Sequence, residues 1–329
     1  MKDTNCFPSR CDGCGAPRGA ESAVPTECLR QWVAEAGGAA CGVADAVAVA
    51  DDEFARFDKW LARGMHGGMR YMENYRELRR DPQLLLPGAK SVVVAAFSYY
   101  HSDQTEGNLA SIAAYAHGDD YHEVVRERLG RVAARIMAAY GGETRVCVDT
   151  APMLERYWAV RAGVGFVGRN RLLIVPGAGS YVFIGSVLAT VRFMPDAPNE
   201  GTCDGCGRCI AACPGKALSE EGVDARRCLS YLTIEHRGEF PDGTNLHGRL
   251  YGCDICQRVC PHNRSLPDTP IAEFHPREAL RTLTPETIIR MGQSEFSAIM
   301  RRSAIKRTKL AGLQRNALHL LRDDDNIKQ

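Results

Sequence analysis

The chain has 329 residues, more than one hydrophobic core usually serves, so two or three subdomains are expected. Apolar residues make up 45% and charged residues 25%, which excludes intrinsic disorder and collagen-like sequence. The 41 basic and 40 acidic residues leave a net charge of +1, so any nucleic-acid contact must come from a local patch.

No stretch approaches the roughly 18–20 uninterrupted apolar residues of a membrane span. Residues 1–18 are polar and rich in Cys and Pro, without the apolar run of a secretory signal, so a cytoplasmic protein is expected. In a reducing compartment the fourteen cysteines point to metal rather than to disulfides.

Residues 1–25 read as a Pro- and Gly-rich tail. Leu29, Trp32, Val33 and Ala36 then fall at helical spacing, stopped by Gly37-Gly38. A short strand is expected over 41–50 and an amphipathic helix over 53–63. Ser91–Ser98 (SVVVAAFS) is a buried-strand candidate. Tyr121–Tyr140 has helical length and spacing and ends at Gly141-Gly142. A strand over 145–148 ends at Asp149, a helix covers 153–162, and strands cover 172–175 and 181–191 around a Gly-Ala-Gly turn. This describes a mixed α/β domain over 26–195. Pro195 and Pro198 mark a linker, 196–268 is a Cys-rich module, and 269–329 is helical and basic.

Eight of the fourteen cysteines lie between 203 and 260. Cys203, Cys206, Cys209 and Cys213-Pro214 read C-x2-C-x2-C-x3-C-P, the bacterial ferredoxin run that holds [4Fe–4S] clusters. Three thiolates on a tight loop cap three corners of a cube, while the fourth points away and ligates a second cube. Cys253, Cys256 and Cys260-Pro261 form a second set one Cys short, and Cys228 completes the count. One cluster is therefore assigned to Cys203, Cys206, Cys209 and Cys260, the other to Cys213, Cys228, Cys253 and Cys256. Zinc knuckles, which favour paired C-x2-C motifs, fit this triple run poorly. Cys6, Cys11 and Cys14, with Cys28 further on, share the opening spacing of plant-type [2Fe–2S] sites but sit in the tail; Cys41 and Cys147 read as small core residues.

The stretch from Val148-Asp149-Thr150 through Leu154-Glu155-Arg156, followed by residues 161–170 (RAGVGFVGRN), resembles the epoxyqueuosine reductase family. Residues 66–72 (HGGMRYM), 79–87 (RRDPQLLLP), 115–122 (YAHGDDYH), Gly179-Ser180-Tyr181, Tyr251-Gly252-Cys253-Asp254 and Arg315-Asn316-Ala317 are similar to further segments of that family. The resemblance implies a nitroreductase-like cobalamin-binding α/β domain, a bacterial ferredoxin-like module with two [4Fe–4S] clusters, and a short C-terminal helical region. It implies reduction of epoxyqueuosine to queuosine at the wobble position of tRNA. Electrons from a low-potential donor of ferredoxin or flavodoxin type would pass through the clusters to cob(II)alamin. By the same resemblance Asp149 is the proton donor. Arg79, Ala113, Asp149, Leu173, Ile184, Ser230, Cys253 and Asp254 contact the cobalamin, and Arg156 faces the modified base. An Asp at its ordinary pKa is ionised at neutral pH, so the site must raise that pKa or resupply the proton quickly. An N-cap of the following helix is the alternative role for Asp149. His66, His117 and His122 are read as hydrogen-bonding residues rather than cobalt ligands.

Arg301, Arg302, Lys306, Arg307 and Lys309 place five positive charges in nine residues without an acid, and Arg315 follows at helical reach. This is the expected phosphate-binding patch for tRNA, extended by His236-Arg237. A monomer with no membrane contact is expected. Two other functions share some of these features. A reductive dehalogenase-like enzyme would use the same cofactors on an organohalide. A ferredoxin-type carrier would need neither the α/β domain nor the basic tail.

Overall fold

In the computed structural model, which describes residues 23–327 with side chains as far as Arg322, the α/β part is built on one antiparallel sheet. Its strands are β1 (Ala40–Asp45), β2 (Ser91–Ser98), β3 (Thr144–Cys147) and, after the short pair β4 (Phe166–Val167) and β5 (Leu173–Ile174), β6 (Val182–Ala189), arranged β1-β2-β6-β3. Two further two-residue strands, β7 (Leu218–Ser219) and β8 (Gly222–Val223), pair later in the chain.

Every residue of β2 is buried because both sheet faces are covered. Val93, Ala95 and Phe97 face α1 (Glu27–Glu35), through Leu29 and Val33, together with residues of a long helix over 121–140. Val92, Val94 and Ala96 face the other way, toward Phe54 of α2 (Asp51–Ala62). After α3 (Arg76–Arg80), that long helix is α4 (Tyr121–Tyr140), and α5 (Glu155–Arg161) adds Trp158 and Ala159 to the second face. The alternation is the period of two expected of a strand, with apolar residues on both sides. Each fully buried Leu, Ile or Phe contributes roughly 1.5–3 kcal/mol. Gly185 of β6 lets α4 lie close, since a Cβ there would meet Leu129 Cδ1 at 2.5 Å.

Several boundaries differ from expectation, three of them with a direct bearing on the packing. Val24 is not loose tail: it bridges Phe193, with its N–H on the Arg192 carbonyl and its carbonyl accepting from Met194. The first strand stops at Asp45 rather than Ala50, because its partner β2 begins at Ser91 and offers no further register. The helix expected from Met153 starts at Glu155, with Leu154 in the N-cap position and no side-chain cap. Cys6, Cys11 and Cys14 lie outside the described residues; Cys28 and Cys147 are buried and Cys41 is half-buried.

The Cys-rich segment carries α6 (Arg208–Ala211), α7 (Leu229–Ile234) and α8 (Ile255–Arg258). The C-terminal region adds α9 (Glu278–Arg281), α10 (Pro285–Arg290), α11 (Gln293–Ile299) and α12 (Lys309–Ile327). These do not form separate cores. Leu229 and Leu232 of α7, Ile288, Phe296, Leu313 and Ala317 share one apolar cluster with Leu109, Ile112 and Ala116 from the α/β part. Among the described residues no helix is long and apolar enough to cross a membrane.

Candidate active site and cluster-binding thiols

β3 ends at Cys147, and the chain then turns sharply. The Thr150 N–H closes onto the Val148 carbonyl at 2.5 Å, with Asp149 at the apex in a left-handed conformation (φ 44°). A non-glycine residue rarely holds this conformation, and such strain costs of order 1–3 kcal/mol. The Asp149 N–H is fixed by Glu155 Oε1 at 2.6 Å. Since α5 begins six residues later, Asp149 is not its N-cap, and the carboxylate is free for another partner.

That partner is His122. Its Nε2 lies 2.8 Å from Asp149 Oδ2 and its Nδ1 lies 2.7 Å from Asp120 Oδ1. Asp120 is the N-cap of α4, accepting also from the His122 backbone N–H at 3.0 Å. The start of a long helix and the end of a strand thus meet across three side chains. Burial opposes charge on His122, yet hydrogen bonds and charges from Asp120 and Asp149 hold its pKa up to about 9. Burial alone would raise the Asp149 carboxyl, but the hydrogen bond and charge of His122, with Tyr121 and Arg307, keep it below the usual carboxylate range. The raised pKa that would keep a proton on this carboxyl at neutral pH is therefore not found here. Glu155, by contrast, is pushed up to about 8, by burial first and the Asp149 charge second.

The remaining cofactor candidates fall into three groups. Arg79 on α3 is buried, donates to the Tyr71 carbonyl at 3.1 Å, and leaves Nε without a partner. Its guanidinium sits in the electrostatic reach of Tyr71, Asp149 and Glu155. Ala113 and Asp254 come together: the Ala113 N–H bonds the Tyr251 carbonyl at 2.7 Å, and Asp254 Oδ2 accepts from the Ala114 N–H at 2.6 Å. Gly252 (φ 70°) permits this approach, because a Cβ would meet the Ala113 Cβ at 2.5 Å. Leu173 and Ile184 belong to the apolar cluster beneath the sheet, and Ser230 sits on α7 two residues after Cys228.

Cys203, Cys206, Cys209 and Cys260 line one cavity, walled also by Asn170 and His262. Burial, then the charges of Cys203, Cys209 and Cys206, push the Cys260 thiol up. The other four lie within reach of one another: burial, then Cys253, Cys228, Asp254 and Cys213, push up Cys256. Cys213 is turned away from the first cavity, its Sγ accepting from the Ala217 N–H at 3.3 Å. These are the two quartets expected from spacing. Thiols at the corners of a cube stand apart, and among the described residues no three His, Cys, Asp or Glu side chains converge on a single-ion centre.

The basic segment behaves unevenly. Arg301, Lys306 and Lys309 are exposed. Arg302 is paired with Glu123 (3.1 Å) and Asp119 (3.5 Å). Arg307 makes two 2.8 Å bonds to Glu235 and lies over the Tyr71 ring, 5.4 Å from its centroid, which brings it to the Asp149 side. Arg315 is not on the patch. Its donors go to the carbonyls of Leu232 (3.0 Å), His236 and Gly238 (both 2.9 Å), and its guanidinium packs 4.1 Å over Phe240. His236 is held by the Glu239 carbonyl at 2.8 Å, and Arg156 by that of Arg171 at 2.8 Å. Arg315→Ala leaves the Leu232 and Gly238 carbonyls without a donor and the His236 carbonyl with Arg237 Nη1 alone at 3.4 Å, so a loss of about 2–3 kcal/mol in unfolding stability is expected. Anaerobic denaturant unfolding checks it; a loss of RNA affinity at unchanged stability would instead make Arg315 a phosphate contact.

Sequence reasoning took His122 as a hydrogen-bonding residue without naming its partner, and gave Tyr71, Glu155 and Glu235 no role of their own. The local signals were the segments 66–72, 115–122 and Leu154-Glu155-Arg156, which hold Tyr71, His122 and Glu155 but do not say which of them meet.

A family model for epoxyqueuosine reductase QueG, DUF1730, matches residues 79–150, and one for a 4Fe-4S double cluster binding domain matches residues 202–263. An epoxyqueuosine reductase of Leadbetterella byssophila is 38% identical over 292 residues, 88% of this chain and 95% of the relative. One from Gloeobacter violaceus is 40% identical over 286 residues, 84% and 89% of the two chains. The fold matches a crystal structure of epoxyqueuosine reductase with an epoxyqueuosine-modified tRNA-Tyr stem loop, at TM-score 0.82 and 31% identity over 90% of this chain and 80% of that one. It matches equally broadly a Bacillus subtilis enzyme whose catalytic aspartate loop is swung out of the active site, at TM-score 0.79 and 30% identity, again over 90% and 80% of the two chains. With this identity running through both the α/β domain and the thiol module, the chain belongs to the epoxyqueuosine reductase family.

Proposed function

We propose that this chain reduces the epoxide of epoxyqueuosine in a tRNA anticodon loop to the alkene of queuosine, with Asp149 delivering the proton to the epoxide oxygen. The observation that carries the assignment is Asp149 itself: a carboxylate presented at the tip of a strained three-residue turn, in a chain that also keeps both thiol quartets complete.

Cys203, Cys206, Cys209 and Cys260 would hold one [4Fe–4S] cluster and Cys213, Cys228, Cys253 and Cys256 the other. Cobalamin, when bound, supplies a strongly nucleophilic reduced cobalt. The residues present fit such a group: Arg79 offers a buried, unpartnered Nε, and Asp254 is a buried carboxyl raised by its burial against the hydrogen bond from Ala114. Arg79, Asp254 and Ser230 would bind its polar edge, while Ala113, Leu173 and Ile184 exclude water and Cys253 borders the second cluster. Glu155 fixes the Asp149 backbone, so the carboxylate is oriented before substrate arrives. Arg301, Lys306 and Lys309 would meet phosphates. Arg156 and Tyr71, whose ring is exposed, would meet the modified base. The chain would act as a monomer in the cytoplasm, fed by a low-potential ferredoxin- or flavodoxin-type donor.

The test is direct. Protein purified anaerobically is given cobalamin, a low-potential reductant and epoxyqueuosine-containing tRNA, and the nucleosides are read by mass spectrometry. Loss of one oxygen from the modified nucleoside is expected. An unchanged nucleoside, despite full clusters and bound corrinoid, would overturn the assignment.

A further inference from the structure

Opening an epoxide with an electron pair leaves an alkoxide that must take one proton, and expelling that oxygen as water takes a second. Two electrons and two protons are consumed for each alkene and water formed, the electrons coming one at a time from a low-potential donor. A single carboxylate held ionised stores neither proton. The structure puts an imidazole directly behind it, bonded at both nitrogens: Asp120 Oδ1 at 2.7 Å on Nδ1 and Asp149 Oδ2 at 2.8 Å on Nε2. Two carboxylates on one ring require both nitrogens to donate, so the ring is an imidazolium.

We propose that the Asp120–His122–Asp149 chain is the proton store of the site: His122 hands its Nε2 proton to the ionised Asp149, which then passes that proton to the substrate oxygen, twice in each turnover. This rests on the epoxide-reduction assignment above. After each transfer His122 is neutral, and it regains a proton from solvent, which reaches a quarter of its side chain and half of that of Asp149. His122 is thus a positioning residue acting through Asp149. The charged and titratable groups around the pair are Asp120 and Arg126 near the start of α4, Tyr121 stacked on the imidazole at 4.1 Å, Glu155 on α5, and Arg307 before α12. The carboxylates outweigh burial and keep the ring charged up to about pH 9.

The sign of the pH effect follows. The proton is in place below that value and is lost as pH rises through it. Single-turnover rates of the reduced holoenzyme on an epoxyqueuosine-containing anticodon stem-loop RNA should be flat through neutral pH and fall above about 9. His122→Gln, checked for full iron and corrinoid content, should be slower by about 100-fold. Asp120→Asn, which removes one of the two charges, should move the alkaline fall to lower pH by about one to two units. A wild-type rate in His122→Gln overturns the proposal, as does an Asp120→Asn rate lowered by one factor at every pH, which would mark a capping role only. If the wild type converts no RNA, the functional assignment fails. The His122 ring titration, followed by NMR and assigned by its absence in His122→Gln, still decides the store: a midpoint near 9 supports it and one below 7 overturns it.

Discussion

Asp149→Asn lowers turnover of epoxyqueuosine RNA by about 10²–10⁴-fold, the usual contribution of a positioned acid, while corrinoid and iron content stay at wild-type levels. The amide keeps the size of the carboxyl and can still accept from His122, so the turn should persist. What it loses is the ability to take up a proton from His122 and then release it to the substrate oxygen. The same substitution removes a charge that supports the imidazolium, so the His122 pKa should fall from its position near 9. The check is nucleoside mass spectrometry over a time course, with corrinoid absorbance measured on the same samples. Turnover within a factor of two of the wild type sinks the donor role for Asp149.

The second large effect concerns Cys209. It is buried at 8% exposure at the start of α6, on the cavity shared with Cys203, Cys206 and Cys260. Its nearest spare thiol in sequence, Cys213, is turned toward the other quartet and held by the Ala217 N–H. No described thiol can therefore step in. Cys209→Ala should lose one cube, leaving about four irons per chain instead of about eight. Electron transfer to the substrate should fall with it, while the second cluster keeps its signal in electron paramagnetic resonance after reduction. A full iron count in that variant would refute the assignment of Cys209 to the first quartet.

How much of this was legible in the sequence varied with the range of the interaction. Strand β2 and helix α4 match their expected limits because each carries its own punctuation: a run of small and β-branched residues in one, Asp120 and Gly141 at the ends of the other. The thiol quartets were legible because loop spacing restricts which corners of a cube a thiolate can reach. The partner of Asp149 was not, since His122 lies 27 residues away and meets it only because α4 and β3 flank the same strand, β6. Arg315 was misplaced for a related reason. A run of positive charge says nothing about which side of a helix is covered, and this guanidinium is roofed by Phe240.

Tyr251 shows what the shared apolar cluster means for the origin of such a chain. Its hydroxyl lies 3.1 Å from that of Tyr115 and donates to the Ala304 carbonyl at 2.8 Å, its backbone bridges Ile112, and Cys253 follows two residues later. Catalytic layer, redox loop and C-terminal helices are thus riveted through one side chain. The iron–sulfur segment is not a cartridge that could be lifted out and plugged into another enzyme. Any lineage that recombined it would have to carry over the helices behind it and the 107–116 segment in front, so these three parts are expected to have been inherited as one piece.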